Sequence, residues 1–202
     1  MSAQAFLSTI SSRRSIYSLG KKLPLAQAEL SKLVKEVVKQ SPSSFNSQTS
    51  RVVILYDQAH DDYWSHTVKE ALRAVAPADA FEKGAERLKG FQAAAGTVLF
   101  FESETAIRQM QEKISLYADR FPQWSTHSSG MAQINVWTAI ETAGLGGNLQ
   151  HYGNLTNDAL IEKYKLPKDW KLHGELVFGE VLAPAGEKTY MSDEERFREF
   201  SS

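Results

Sequence analysis

Apolar positions recur at helical spacing along most of this chain, interrupted by short runs of consecutive apolar residues. From Leu25 to Gln40, Leu30, Leu33, Val34, Val37 and Val38 fall on one stripe, with Lys32, Lys35, Glu36 and Lys39 elsewhere on the wheel. That spacing predicts a helix with one buried face, stopped by Pro42. Residues 3–12, 61–75, 79–95, 105–119 and 156–164 read as further helices, with Trp64, Val68, Ala71, Leu72 and Val75 as one stripe and Ile107, Met110, Ile114 and Tyr117 as another. Residues 128–143 are apolar almost all round, which predicts a helix at the centre of the molecule or in an interface, ended by Gly144. Ser192 with Glu195 three positions on forms a capping box for a last short helix. Three runs read as buried strands: Arg-Val-Val-Ile-Leu-Tyr at 51–56, Gly-Thr-Val-Leu-Phe-Phe-Glu at 96–102, and 172–181.

Helices outnumber strands and the order is not a strict alternation. The predicted class is therefore α+β, a small sheet surrounded by helices. No stretch has the composition of a linker, so residues 1–202 are expected to form a single domain.

The charges are nearly balanced, with 23 Lys and Arg against 24 Asp and Glu, and no basic block is longer than a pair. That gives no electrostatic reason to expect nucleic acid or an anionic membrane as partner. Cysteine is absent, which removes disulfides, thiolate nucleophiles and iron–sulfur or Cys-type zinc sites. It fits a reducing cytoplasm, the expected location. No apolar run approaches the roughly 20 residues of a membrane span, and the first ten residues lack the basic start and long apolar centre of a secretory signal. Arg13, Arg14 and nearby serines have some of the composition of a mitochondrial presequence, but the arginine pair has a better use.

That use is anion binding. Arg13-Arg14-Ser15 sets two guanidinium groups beside a hydroxyl, a set suited to phosphate; alone, it reads equally as a basic helix end. Ser41-Pro-Ser-Ser-Phe-Asn-Ser-Gln48 crowds polar groups between a helix and a strand, although Ser43, Ser44, Asn46 and Gln48 also suit an ordinary turn. Gly144-Leu-Gly-Gly-Asn-Leu-Gln-His-Tyr-Gly153 permits close backbone approach or a simple cap and turn. It fails the dinucleotide pattern G-x-G-x-x-G, because position 149 is Leu, and no Walker loop occurs. His60 and His66 do not share a helix face, His-Glu-x-x-His is absent, and no metal site is expected. Gly-x-Ser-x-Gly is absent too. Asp61-Asp62 and Glu194-Glu195 lie in polar stretches and read as solvated surface. Tyr117 and Trp124 read as core packing or, alternatively, as a wall of a substrate channel.

These motifs, in this order, resemble the FMN-dependent nitroreductases from about residue 10 to about residue 200. The resemblance is closest to the compact fatty-acid-repression-mutant-type branch, whose features include runs similar to 96–102 and Asn-Leu-Gln-His-Tyr. It implies an α+β sandwich in an intertwined homodimer with FMN at the subunit interface. Arg13, Arg14 and Ser15 would hold the FMN phosphate, with Lys188 as a further cation. Pro42, Ser43, Ser44 and Asn46 would line the ring and ribityl chain, from the partner subunit, and Gln48 would close that loop. Leu149, Gln150 and His151 would bring backbone to the reactive flavin edge. The implied activity passes hydride from NADPH or NADH through the flavin to nitroaromatic or quinone-type acceptors by a ping-pong route, with no obligatory side-chain acid or base. The branch is linked by resemblance to lipid signalling and oxidative stress. Two departures stand out: the middle region is shorter than in fuller members, and Lys188 occupies a place where many relatives carry Arg. A flavin-binding redox sensor with little turnover is the alternative reading.

Overall fold

The computed structural model describes residues 2–201 of the 202-residue chain. Its elements run α1 (Ala3–Ser12), β1 (Leu19–Gly20), α2 (Gln27–Gln40), β2 (Ser50–Tyr56), α3 (Asp57–Asp62), a widened π turn (Tyr63–Val68), α4 (Lys69–Val75), α5 (Ala78–Gln92), β3 (Gly96–Ser103), α6 (Glu104–Lys113), α7 (Phe121–Thr142), β4 (Gly146–Gln150), α8 (Gly153–Tyr164), β5 (Trp170–Val181) and α9 (Asp193–Arg196). Short 3-10 turns occupy Ser44–Asn46 and Ser115–Arg120.

One antiparallel sheet organises the fold. β3 is its centre, buried at all eight positions, with β2 on one side (Val53 opposite Leu99) and β5 on the other (Val98 opposite Leu176). The far edge of β5 carries β4 along Glu175–Gly179 and then β1 along Glu180–Val181. A sheet buried on both faces needs a layer over each. On one face Tyr63, Trp64, Phe91, Leu99, Phe101, Leu160 and Val177 form a core under the π turn, α5 and α8. On the other, Leu30, Val34, Val98, Phe100, Val136, Ile140 and Phe178 join α2 and α7 to the sheet. The result is the α+β sandwich expected from the sequence.

The helix at 25–40 is present as α2, with Leu30 and Val34 buried and the Glu29 carboxylate accepting the Ala26 N–H. Three expectations need correcting. The Gly-rich stretch after the central helix is not only a cap and turn: Gly144 does end α7, at φ +86°, but residues 146–150 then pair with β5 as a strand. The central helix starts at Phe121, not Ser128, because Pro122 sits in its first turn, where the missing N–H costs nothing. The 61–75 helix starts at Asp57 and contains the π turn, which turns Tyr63 and Trp64 fully into the core. At Ser192 the N-cap is present but not the full capping box: its Oγ accepts the Glu195 N–H, and the Glu195 carboxylate accepts the Ser192 hydroxyl and not its backbone N–H.

One side of α7 is buried and includes Ala132, Val136 and Ile140, while Met131 and Ile134 stay exposed on the other. Phe6, Leu7 and Ile10 of α1 are exposed, as are Tyr190, Met191, Phe197 and Phe200 of the C-terminal segment.

Candidate functional site

The Arg13–Ser15 segment leaves the C-terminus of α1 and runs beside the outer edge of β4. Ser15 bridges Gly147, the Ile16 N–H donates to the Gly147 carbonyl at 2.8 Å, and Asn148 Nδ2 donates to the Ile16 carbonyl at 2.8 Å. The Arg13 guanidinium lies 4.4 Å from the ring centre of Trp137 on α7. Both Arg13 Nε and Trp137 Nε1 are buried without an acceptor. Buried donors left unmet are costly, and an anion seated on the Arg13 guanidinium would relieve that one. Glu141 is close by. Burial raises its carboxyl above the usual range, and Arg13 pulls in the opposite direction. Arg14 Nη2 donates to the Gly186 carbonyl at 2.6 Å, so the chain returns to the arginines two residues before Lys188. Lys188 itself stacks its ammonium 4.8 Å over Tyr190. Arg14, Ile16, Glu141, Gly146 and Pro184 line a cleft of about 490 Å³.

The loop after α2 is a second, separate unit. The Gln48 N–H donates to Ser43 Oγ at 2.9 Å, and Gln48 Nε2 reaches the Asn46 carbonyl. Phe45, Asn46 and Gln48 all have left-handed backbone, at φ +54°, +53° and +47°. For a bulky residue such as Phe45 this is a genuine outlier, and strain of this kind gathers at functional loops. The loop is tied down at both ends. Asn135 of α7 donates to Ser41 Oγ, and Ser50 and Ser125 each donate to buried Glu102 at 2.5 Å. Pro42, Ser43, Gln48 and Ser128 line a small cleft of about 150 Å³, with Ser44 and Asn46 in the 3-10 turn beside it. Phe45 turns its ring to Tyr117, Phe121 and Trp124, with centroids 5.9–6.0 Å away. Tyr117 and Trp124 thus join an aromatic cluster that remains partly exposed.

A third cleft, of about 510 Å³, brings Gln150 of β4 together with Tyr17 and with Lys83, Arg87 and Phe91 of α5. Gln150 Nε2 is held by Asn148 Oδ1 at 2.8 Å. Burial raises the Tyr152 hydroxyl pKa, and Arg87 pulls it the other way. The Leu149 side chain packs against the core, and His151 is exposed. Lys83 and Arg87 escaped sequence reading because charges on an amphipathic helix look like solvated surface. Asn148 escaped as well. It is fully buried and links the arginine segment to Gln150.

Arg13, Arg14, Ser15, Leu149, Gln150 and His151 therefore gather along β4, with the chain around Gly186 close to them. Pro42, Ser43, Ser44, Asn46 and Gln48 do not join them: they line a different cleft. The loop meets α7 at Ser128 and Asn135, and Arg13 stacks on Trp137, about 3 Å of helix rise beyond Asn135.

Asn148→Ala removes both the hold on Ile16 and the hold on Gln150. About 1–3 kcal/mol of stability should be lost, and the Arg13–Ser15 segment should become the first part of the core edge to exchange its amides. Unchanged protection at Ile16 would show that other contacts seat the segment.

The α+β sandwich, with the arginine segment along β4, is the fold of solved nitroreductases. The nitroreductase family profile matches residues 10–180, and the chain belongs to that family. It is 38% identical over 197 residues to HBN1 of Saccharomyces cerevisiae, described as a putative nitroreductase, covering 96% of this chain and 97% of that one. It is 33% identical over 190 residues to the nitroreductase FRM2 of the same yeast, covering 93% and 94%, which sets it in the fatty-acid-repression-mutant-type branch. Among solved structures, the nitroreductase CinD from Lactococcus lactis, in complex with chloramphenicol, aligns with TM-score 0.89 and 45% identity over 97% of this chain and 100% of that one. CinD is also known in complex with nicotinic acid and with 4-nitrophenol. At 15% identity, the fold extends to a nitroreductase with bound FMN from Desulfitobacterium hafniense.

Proposed function

We propose that this chain is an FMN-containing oxidoreductase that takes hydride from NAD(P)H and delivers it to nitroaromatic or quinone-type acceptors in a ping-pong cycle. The observation that carries the reading is the pair of buried donors, Arg13 Nε and Trp137 Nε1, left without an acceptor beside Arg14 and Ser15. Bound FMN supplies the hydride-accepting and hydride-donating chemistry. The chain's own residues bind and orient. Arg13, Arg14 and Ser15 hold the phosphate, with Lys188 as an added point charge from the returning segment. The backbone at Leu149–His151 and the Gln150 side chain would meet the ring edge. Arg87, exposed across the cleft from Gln150, would set a cation near the ring and so favour its reduced form.

The Pro42–Gln48 cradle belongs to the second subunit of a homodimer. The loop and the arginine cluster line different clefts, which supports this, and so do the exposed apolar residues of α1, α7 and the C-terminal segment, which need cover. The nicotinic acid and nitrophenol complexes of CinD support a nicotinamide donor and a nitroaromatic acceptor. No helix among the described residues is long and apolar enough to cross a membrane. A single FMN-binding domain over residues 1–202 in the cytoplasm is part of this reading, and the near-balanced charge gives no reason to add a nucleic-acid partner.

Steady NADPH oxidation with menadione or nitrofurazone tests the activity. A yellow protein that reacts with neither nicotinamide nucleotide would identify a redox sensor instead. Ser44→Trp tests the cradle. It should cut flavin content and turnover at least tenfold by filling the space beside the strained loop, a loss of about 1.4 kcal/mol or more. Unchanged flavin content would remove Ser44 from the site.

A further inference from the structure

β4 stops pairing with β5 at Gln150, opposite Glu175. The chain then turns sharply through His151 and Tyr152 into α8, and a side chain continues what the ladder began. The Tyr152 N–H donates to both carboxyl oxygens of Glu175, each at 3.0 Å. Tyr63 Oη donates to Glu175 Oε1 at 3.1 Å and lies 3.2 Å from Thr156 Oγ1. Thr156 Oγ1 in turn donates to the Tyr152 carbonyl at 3.1 Å. Side chains from the π turn, β5 and α8 thus grip both ends of one residue's backbone. Glu175, Tyr63 and Thr156 have no solvent exposure. Close packing jams the corner from the other side: a Cβ on Gly153 would lie 2.4 Å from the Leu172 carbonyl. A buried carboxylic acid in a strand is expensive, and this one holds nothing but the corner.

We propose that Glu175 is a positioning residue for hydride transfer: by clamping the Tyr152 amide from behind the sheet, it fixes the Leu149–His151 backbone at the flavin's reactive edge. The inference rests on the flavin reading above. Its consequence is that the clamp has two states. The groups facing Glu175 are the hydroxyl of Tyr63 and the peptide and ring of Tyr152. Arg87 acts on the Tyr152 hydroxyl and not on the carboxyl. With no cation against the carboxyl, burial raises it to about 7, while the Tyr152 N–H and Tyr63 hydroxyl pull the other way. Below that pH the neutral acid donates one hydrogen bond and accepts the Tyr152 N–H on its carbonyl oxygen. Above it, the carboxylate accepts from both partners and tightens on the amide.

The test uses the flavin-loaded protein and its Glu175→Gln and Glu175→Ala variants. Amide hydrogen exchange at Tyr152, which needs no turnover, should speed up about tenfold or more in the Ala variant and stay protected in the Gln variant. Stopped-flow flavin reduction by NADPH should slow about tenfold to a hundredfold in the Ala variant, with FMN content and NADPH affinity kept, because the corner and not the cofactor site has moved. The wild-type reduction rate should bend near pH 7, and the Gln variant should lose that bend. If the Ala variant does not fold, the pH comparison with the Gln variant decides. Wild-type reduction rates and Tyr152 protection in a yellow Ala variant, or a bend retained in the Gln variant, would overturn the clamp. Colourless wild-type protein would instead overturn the flavin reading itself.

Discussion

Replacing Arg13 and Arg14 together by alanine strips the protein of FMN and leaves it folded. Each guanidinium removed takes away charge-assisted bonds worth about 1.5–3 kcal/mol each, so affinity for FMN should fall about a hundredfold or more. The fold survives for a specific reason. Arg13 Nε is a buried donor with no acceptor, so its removal relieves a cost as well as losing the stacking on Trp137, itself worth about 0.5–1 kcal/mol. Arg14 gives up one bond, to the Gly186 carbonyl in an exposed segment. Flavin fluorescence titration and thermal unfolding of the apo-protein check the two halves separately. Flavin retained at wild-type affinity would move the phosphate site away from the arginines. Lost flavin together with lost folding would make the pair structural.

Stability should fall as pH rises through neutrality, and Glu175→Gln should abolish the fall. Burial raises Glu175 from 4.5 to about 7. A group whose pKa is raised on folding adds stability below its unfolded value and loses it as pH climbs through the folded one. The loss spans pH 4.5 to about 7 and amounts to roughly 3 kcal/mol. His60 works in reverse. Burial lowers it from 6.5 to about 4, because the imidazole is sealed between Thr97 Oγ1 and the Phe91 carbonyl. Its contribution is full only well above pH 6.5 and disappears as pH falls to about 4. Between pH 4.5 and 6.5 the two trends oppose and these groups leave stability nearly level. Above pH 6.5 the last of the Glu175 loss outweighs the last of the His60 gain, for a net fall of roughly 0.5 kcal/mol. Urea unfolding at pH 5, 6.5 and 8 should show a drop at pH 8 in the wild type and none in the Gln variant. Equal drops in both proteins would show that the carboxyl is not the titrating group.

The fold was largely legible where burial acts on one residue type at a time. The stripe of α2 and the apolar runs of β2 and β3 gave their elements directly. β4 was hidden because Gly146-Gly147-Asn148 has no β-branched or aromatic residue, and only pairing with β5 makes it a strand. β1 is two residues long, too short for any pattern. The π turn leaves the apolar order of a helix intact, so its widened geometry is invisible in sequence. For the candidate site, the Arg13–Ser15 and Ser41–Gln48 motifs were visible as clusters of polar residues. Arg87 and Glu175 were not. One looks like a solvated helix charge, and the other is a lone acid inside an apolar strand whose partners come from residues 63 and 152. Side-chain chemistry shared between distant segments appears only once the chain is folded.

The most direct measurement of the central claim is the visible spectrum of the purified, FMN-reconstituted protein, recorded without air before and after adding NADPH. The protein should show the absorption of bound oxidised flavin, bleached by NADPH. Protein that stays colourless after reconstitution would contradict that claim.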